Sequence, residues 1–238
     1  MNLLLAFFRA RLSPAGYLGL HLSMGAAVLL AAAAGFGAIA EDVVNAEAIT
    51  LLDVRLANWL HVHATPAFTQ LMLVLTEIHG VAGITILTLL LCAWLTGQRH
   101  HQWVLATACT VGGGMLLNVA MKYAFHRARP HFDDPLLTLS TYSFPSGHTA
   151  GSTLFYGVLA CYLCSRVRQW QVRAPIILAA VLMIALVGLS RMYLGVHYLS
   201  DVLAAVTEGS AWLALTVTTL STLRRRRAFR GALERNHG

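Results

Sequence analysis

Charge is what this chain has least of. Asp, Glu, Lys and Arg together make up 11% of its 238 residues, where a soluble domain carries about 25%. That scarcity excludes an ordinary water-soluble globule, and a 57% hydrophobic content with mean hydropathy +0.65 places the chain in a membrane. Acids are scarcer still, 10 against 17 bases, for a formal net charge of +7. In a soluble protein that balance would point to nucleic acid. Here the excess falls in short segments between apolar runs and in the tail LRRRRAFR (223–230), which is how a membrane protein records its orientation. No nucleic-acid partner is expected. Cysteines are few, and Cys92, Cys109, Cys161 and Cys164 all lie inside apolar runs, so no disulfide framework is implied. Cys161 and Cys164 form a CxxC without a second pair, which reads as buried packing rather than a zinc or redox site.

What is present are six apolar runs, near residues 17–39, 79–96, 103–123, 147–165, 174–190 and 199–222. A helix crossing a bilayer needs roughly 20 such residues. The sequence therefore predicts an all-α polytopic bundle with six transmembrane helices, organised as one domain over 1–238. Gly112, Gly113 and Gly114 in the third run mark a close helix–helix contact. With the N-terminus in the cytoplasm, twelve Lys and Arg fall inside (Arg9, Arg11, Arg99, Arg166, Arg168, Arg173, Arg224 to Arg227, Arg230, Arg235) and five outside (Arg55, Lys122, Arg127, Arg129, Arg191). Both termini are then cytoplasmic. The first run ends in AIA (38–40) before Glu41, a pattern shared with signal peptides. It is longer than a usual signal core and is read as a span. Residues 43–78 carry charges, His and a break at Pro66, with Leu52, Leu56, Trp59 and Leu60 on one helical face, and are read as a helical segment at the outer interface.

Ionisable residues at span ends are costly and tend to be functional. They collect in three strings, KYAFHRARP (122–130), PSGH (145–148) and SRMYLGVHYLSD (190–201), which the topology puts on one outer face. Lys122, Arg129 and Arg191 bring permanent cations whose donors match phosphate oxygens. Pro145 suits the first turn of a helix. The N–H groups of Ser146, Gly147 and His148 would then point from a helix N-terminus, where anions bind. His197 and Asp201, four apart, share a helical face, and a carboxylate on one ring nitrogen leaves the other a better nucleophile. His148 is a second imidazole able to protonate a leaving oxygen. Two His, one Asp and three cations without a carboxylate cluster point to phosphoryl transfer with no metal. His126, Arg127 and His131 are read as solvated, and Glu208 as a packing or supporting residue.

These strings resemble the signature of the type 2 phosphatidic acid phosphatase family, KxxxxxxRP, PSGH and SRxxxxxHxxxD, at every position. The resemblance implies a helix-bundle membrane hydrolase that uses neither metal nor cofactor. It implies His197 as nucleophile oriented by Asp201, His148 as general acid, and Lys122, Arg129, Ser146, Gly147 and Arg191 as phosphate ligands. Expected substrates are lipid phosphates or diphosphates, such as polyprenyl diphosphate, phosphatidic acid or phosphatidylglycerol phosphate, met among the membrane lipids at the periplasmic face of a bacterial inner membrane. Three alternatives remain at this stage: a lipid phosphotransferase on the same site, a non-catalytic headgroup transporter or scaffold, and a vanadate haloperoxidase. The His197–Asp201 pair weighs against mere binding, and the apolar spans against the soluble haloperoxidases.

Overall fold

The computed structural model describes residues 19–237, with side chains through Arg230. Arg9 and Arg11 of the orientation argument lie outside the described residues, as does the side chain of Arg235. The described chain is an all-α bundle of eight helices: α1 (Leu20–Val44), α2 (Ala48–Val62), α3 (Pro66–Ile78), α4 (Val81–Gly97), α5 (His101–Phe125), α6 (Gly147–Arg166), α7 (Trp170–Tyr193) and α8 (Leu199–His237). Helix α1 runs without a break through the AIA stretch at 38–40.

By length and hydropathy, α1, α5, α7 and the Leu199–Arg230 part of α8 are each able to cross a bilayer, and α3 with α4, bent by 51°, make up to a fifth span. Side chains such as Leu30 and Leu116, 70% and 74% exposed, suit contact with lipid tails. The remaining expected span, the run at 147–165, is α6, long enough at 20 residues, about 30 Å. Its composition is too polar to count as an apolar span because it is the inner helix. Every residue from Thr149 to Phe155 is buried, so neighbouring helices rather than lipid face its Thr, Ser and Gly positions.

Packing explains the rest. Ile84, Leu91, Leu95, Val111, Leu154, Phe155, Val158 and Tyr162 form a core shared by α4, α5 and α6. A second cluster, Leu60, Met72, Tyr193, Leu194 and Val196, ties α2 and α3 to the end of α7. The glycine run in α5 does make a close contact. A Cβ on Gly113 would sit 2.5 Å from Trp212 and one on Gly114 2.5 Å from Leu154, while one on Gly112 would meet nothing within 4 Å. The bend between α3 and α4 depends on Gly83, where a Cβ would lie 1.9 Å from the carbonyl oxygen of Ile78.

The segment expected at the outer interface is helical, as α2 and α3, with Pro66 in the first turn of α3. Its inward face differs from the one expected. Asp53, Ala57 and Leu60 are buried while Leu52 and Trp59 are exposed, because the helix turns a carboxylate rather than a leucine toward the bundle.

Candidate active site

Three stretches of chain converge at one end of the bundle. Helix α5 carries Lys122 in its last turn and ends at His126, whose left-handed backbone (φ 49°) turns the chain away. The segment 127–146 then folds back over the bundle end, pinned by Ser143, whose N–H donates to the Arg127 carbonyl at 2.9 Å and whose Oγ donates to the Ala128 carbonyl at 2.9 Å. Helix α7 delivers Arg191, and Gly195 at φ 69° reverses the chain. Most L-residues avoid that backbone region. The reversal sets His197 just before α8 and Asp201 in its first turn.

His197 is buried, with Asp201 Oδ2 3.3 Å from Nδ1 and Arg129 Nη1 3.1 Å from Nε2. A guanidinium can only donate. Nε2 must therefore present its lone pair to Arg129, and the ring proton sits on Nδ1, facing Asp201. Burial, then the cations Arg129, Arg191 and Lys122, hold the imidazole well below its usual pKa, so it is neutral. Asp201 is positioned in turn by the Tyr198 N–H at 2.9 Å and by Arg127 Nη1, which donates to Oδ1 at 2.6 Å.

The cations differ in what they have spare. Arg129 spends its donors on the Thr141 carbonyl and hydroxyl (2.6 and 2.9 Å), the Val196 and Tyr142 carbonyls (2.6 and 3.1 Å) and His197. Lys122 Nζ donates to the Tyr142 carbonyl at 2.8 Å. Arg191 gives Nη1 to the Thr76 hydroxyl, while its buried Nε and Nη2 have no partner among the described residues. Arg191 therefore keeps two open donors and the Lys122 ammonium, with three donors, keeps at least one, whereas Arg129 has none to spare.

Two details of the PSGH reading change. Ser146, not Pro145, borders α6, taking the extended N-cap conformation with Gly147 as the first helical residue. The Ser146 N–H is not open to a ligand, because it donates to the Asp201 carbonyl at 3.0 Å. Its Oγ accepts from Thr149 Oγ1 at 3.0 Å. The N–H groups of Gly147 and His148, in the first turn, have no helical acceptor.

Two openings meet at His148. A cavity of about 530 Å³ holds Lys122, Arg129, His148 and His197 at one end. It continues between α4 and α5 along Val81, Ile84, Leu89, Gly112 and Met115. A second, of about 510 Å³, lies between α3 and residues 137–139 and includes Thr76, Arg191 and His148.

All eight expected site residues thus gather in one place. Arg127 corrects the reading that it is solvated: it is held between Asp53 and Asp201 at 2.8 and 2.6 Å. His126 and His131 are exposed, as expected. Asp53 and Thr76 were not anticipated, and the one hint for Asp53 was a charge among the apolar positions of α2. Glu208 is buried and accepts the Asn118 amide at 2.9 Å.

A buried neutral imidazole facing clustered cations, at the mouth of an apolar cavity in a membrane bundle, defines a membrane phosphatase acting on lipid phosphates. Comparison with known proteins agrees. The profile of the PAP2 superfamily matches residues 102–225, just over half of the chain, and the chain belongs to that superfamily. It is 28% identical to phosphatidylglycerophosphatase B of Bacillus subtilis over 176 residues, covering 73% of this chain and 86% of that one. It is also 28% identical to undecaprenyl-diphosphatase BcrC of Bacillus subtilis over 149 residues, 60% and 70% of the two chains. Its fold superposes on the crystal structure of a transmembrane PAP2-type phosphatidylglycerolphosphate phosphatase from Bacillus subtilis with a TM-score of 0.73 at 26% identity, covering 79% of this chain and 93% of that one.

Proposed function

We propose that the protein hydrolyses the phosphate of an anionic membrane lipid, phosphatidylglycerol phosphate or undecaprenyl diphosphate, through a phosphohistidine on His197. The observation that carries this reading is the tautomer: Nε2 of His197 carries the ring's lone pair, held by Arg129 Nη1, at the polar end of the apolar cavity. The lipid tail lies along α4 and α5, and the phosphate sits among Lys122, Arg129 and Arg191, against the Gly147 N–H and the Ser146 hydroxyl. Nε2 attacks phosphorus, the bond to the lipid oxygen breaks, and His148, protonated as the imidazolium beside the bound phosphate, gives that oxygen a proton and becomes neutral. Asp201 holds the Nδ1 proton and offsets the positive charge that grows on the ring. Water, deprotonated by the now neutral His148, then attacks phosphorus, and the P–N bond breaks, releasing inorganic phosphate and restoring the His197 imidazole and the protonated His148.

The whole chain acts as one domain, with α6 as the sixth span inside the other five and α2 at the outer interface. The excess of Lys and Arg on one side supports cytoplasmic termini and a site facing the periplasm. Rapid quenching of the enzyme with substrate labelled in its terminal phosphate tests the chemistry. A label on the protein that is acid-labile, alkali-stable and absent from His197→Ala is expected. Turnover with no such label at any quench time would replace the covalent route by direct attack of water.

A further inference from the structure

His197 and Asp201 do not complete the device that positions the nucleophile. We infer that Asp53 and Arg127 are positioning residues for the hydrolytic reaction, forming with Asp201 a buried cluster of two carboxylates around one guanidinium that sets the orientation and charge environment of His197. The inference rests on the assignment of His197 as nucleophile.

Asp53 comes from α2, 148 positions before Asp201 in the chain, yet it is 1% exposed and Asp201 is fully buried. Asp53 Oδ1 accepts the Ser200 N–H at 2.9 Å, and Oδ2 accepts the Ser200 hydroxyl, so a side chain from another helix caps the first turn of α8. Arg127 Nη2 donates to Asp53 Oδ2 at 2.8 Å, and Nη1 donates to Asp201 Oδ1 and Ser200 Oγ, each at 2.6 Å. The guanidinium also lies 4.6 Å from the centre of the Tyr198 ring. Apart from the Arg127–Asp53 ion pair itself, these bonds end on the segment 198–201 that presents His197. Neither Asp53 nor Arg127 lines either cavity at the site, so they do not meet the substrate.

The arithmetic of charge gives the cluster its effect. One cation shared by two carboxylates leaves a net charge of −1 behind Nδ1 of His197. On its other sides the ring faces Arg129 from the segment 127–146, Arg191 from α7, Lys122 from α5 and His148 from α6. The cluster is thus the negative charge opposing those cations, and it stabilises a ring that becomes positive during attack. Were Asp53 absent, Arg127 would belong wholly to Asp201 and the net charge would fall to zero.

The test is a charge cycle read through the acid limb of the kcat/KM profile of the full chain in detergent, with phosphatidylglycerol phosphate as substrate. Asp53→Asn keeps the acceptor for the Ser200 N–H. It should lower kcat by about tenfold to a hundredfold, the range for losing one charged hydrogen-bond partner, leave KM within about threefold, and move the acid limb to lower pH. Arg127→Gln leaves two carboxylates and should move the limb to higher pH. The double variant restores a net charge of −1 and should return the limb to the wild-type position with kcat still low. Limbs that stay in place or all move the same way, or an Asp53→Asn enzyme with full kcat, overturn the inference. If Arg127→Gln does not fold, Asp53→Asn and the double variant decide by the same criterion. His197→Ala in parallel separates the two claims: activity there removes the nucleophile itself, whereas an inert His197→Ala with unmoved limbs removes only the role of Asp53 and Arg127.

Discussion

Replacing Arg191 by Met should inactivate the protein and make it melt higher. Arg191 is 1% exposed, and its Nε and Nη2 are buried without a partner among the described residues. Each orphaned buried donor costs about 1–3 kcal/mol. No carboxylate among the described residues pairs with the guanidinium, and Arg129 and Lys122 line the adjoining cavity. Met fills much of the same length without polar atoms, and the hydrogen bond lost to Thr76 is worth about 1 kcal/mol. The balance favours Met by about 1 kcal/mol or more, and for a chain of this size each kcal/mol raises Tm by about 2–4 °C. The same two donors, given to a phosphate, contribute about 1.5–3 kcal/mol each. Their loss should lower kcat/KM by about 10²–10⁴, at about 1.4 kcal/mol per tenfold. The assay pairs phosphate release with a melt followed by tryptophan fluorescence in detergent. Inorganic phosphate should raise the Tm of the wild type and leave that of the variant unchanged. A variant that melts below wild type, or keeps more than about a tenth of its kcat/KM, would refute the view that this arginine is held unsatisfied for the substrate.

Two further predictions follow from the geometry. Burial and the surrounding cations lower the pKa of His197 from its usual 6.5, and the attacking form is the free base, so activity should persist as the pH falls through 6.5 and fail only below it; an acid limb in the kcat/KM profile above pH 6.5 would contradict this. Gly113→Ala should cost about 1–3 kcal/mol by overpacking against Trp212, whereas Gly112→Ala, facing open space in the cavity, should leave the melting temperature in place; equal losses for both would show that the helix contact is misassigned.

Much of the site was legible in the sequence because its parts are local. His197 and Asp201 pair across one turn at the start of α8, and Gly147 and His148 open α6, so spacing alone places them. The role of Arg127 was not legible. Its partner Asp53 lies 74 residues away, and only folding turns that face of α2 inward. The phosphate nest lost one donor for a similar reason, since the Ser146 N–H meets a carbonyl of α8 that no local pattern reveals. The six apolar runs located α1, α4, α5, α6, α7 and α8, but α6, which other helices enclose, is too polar to count as an apolar span. The 51° bend between α3 and α4 was not legible, because it depends on the approach of the Ile78 carbonyl to Gly83.

The central claim is that His197 carries metal-independent dephosphorylation of a membrane lipid. The most direct measurement is phosphate release from phosphatidylglycerol phosphate and from undecaprenyl diphosphate by purified protein in detergent with EDTA, wild type beside His197→Ala. Release by the wild type on at least one of the two lipids, with none from the variant, is the predicted result. Equal release by both proteins, or release that EDTA abolishes, would contradict it.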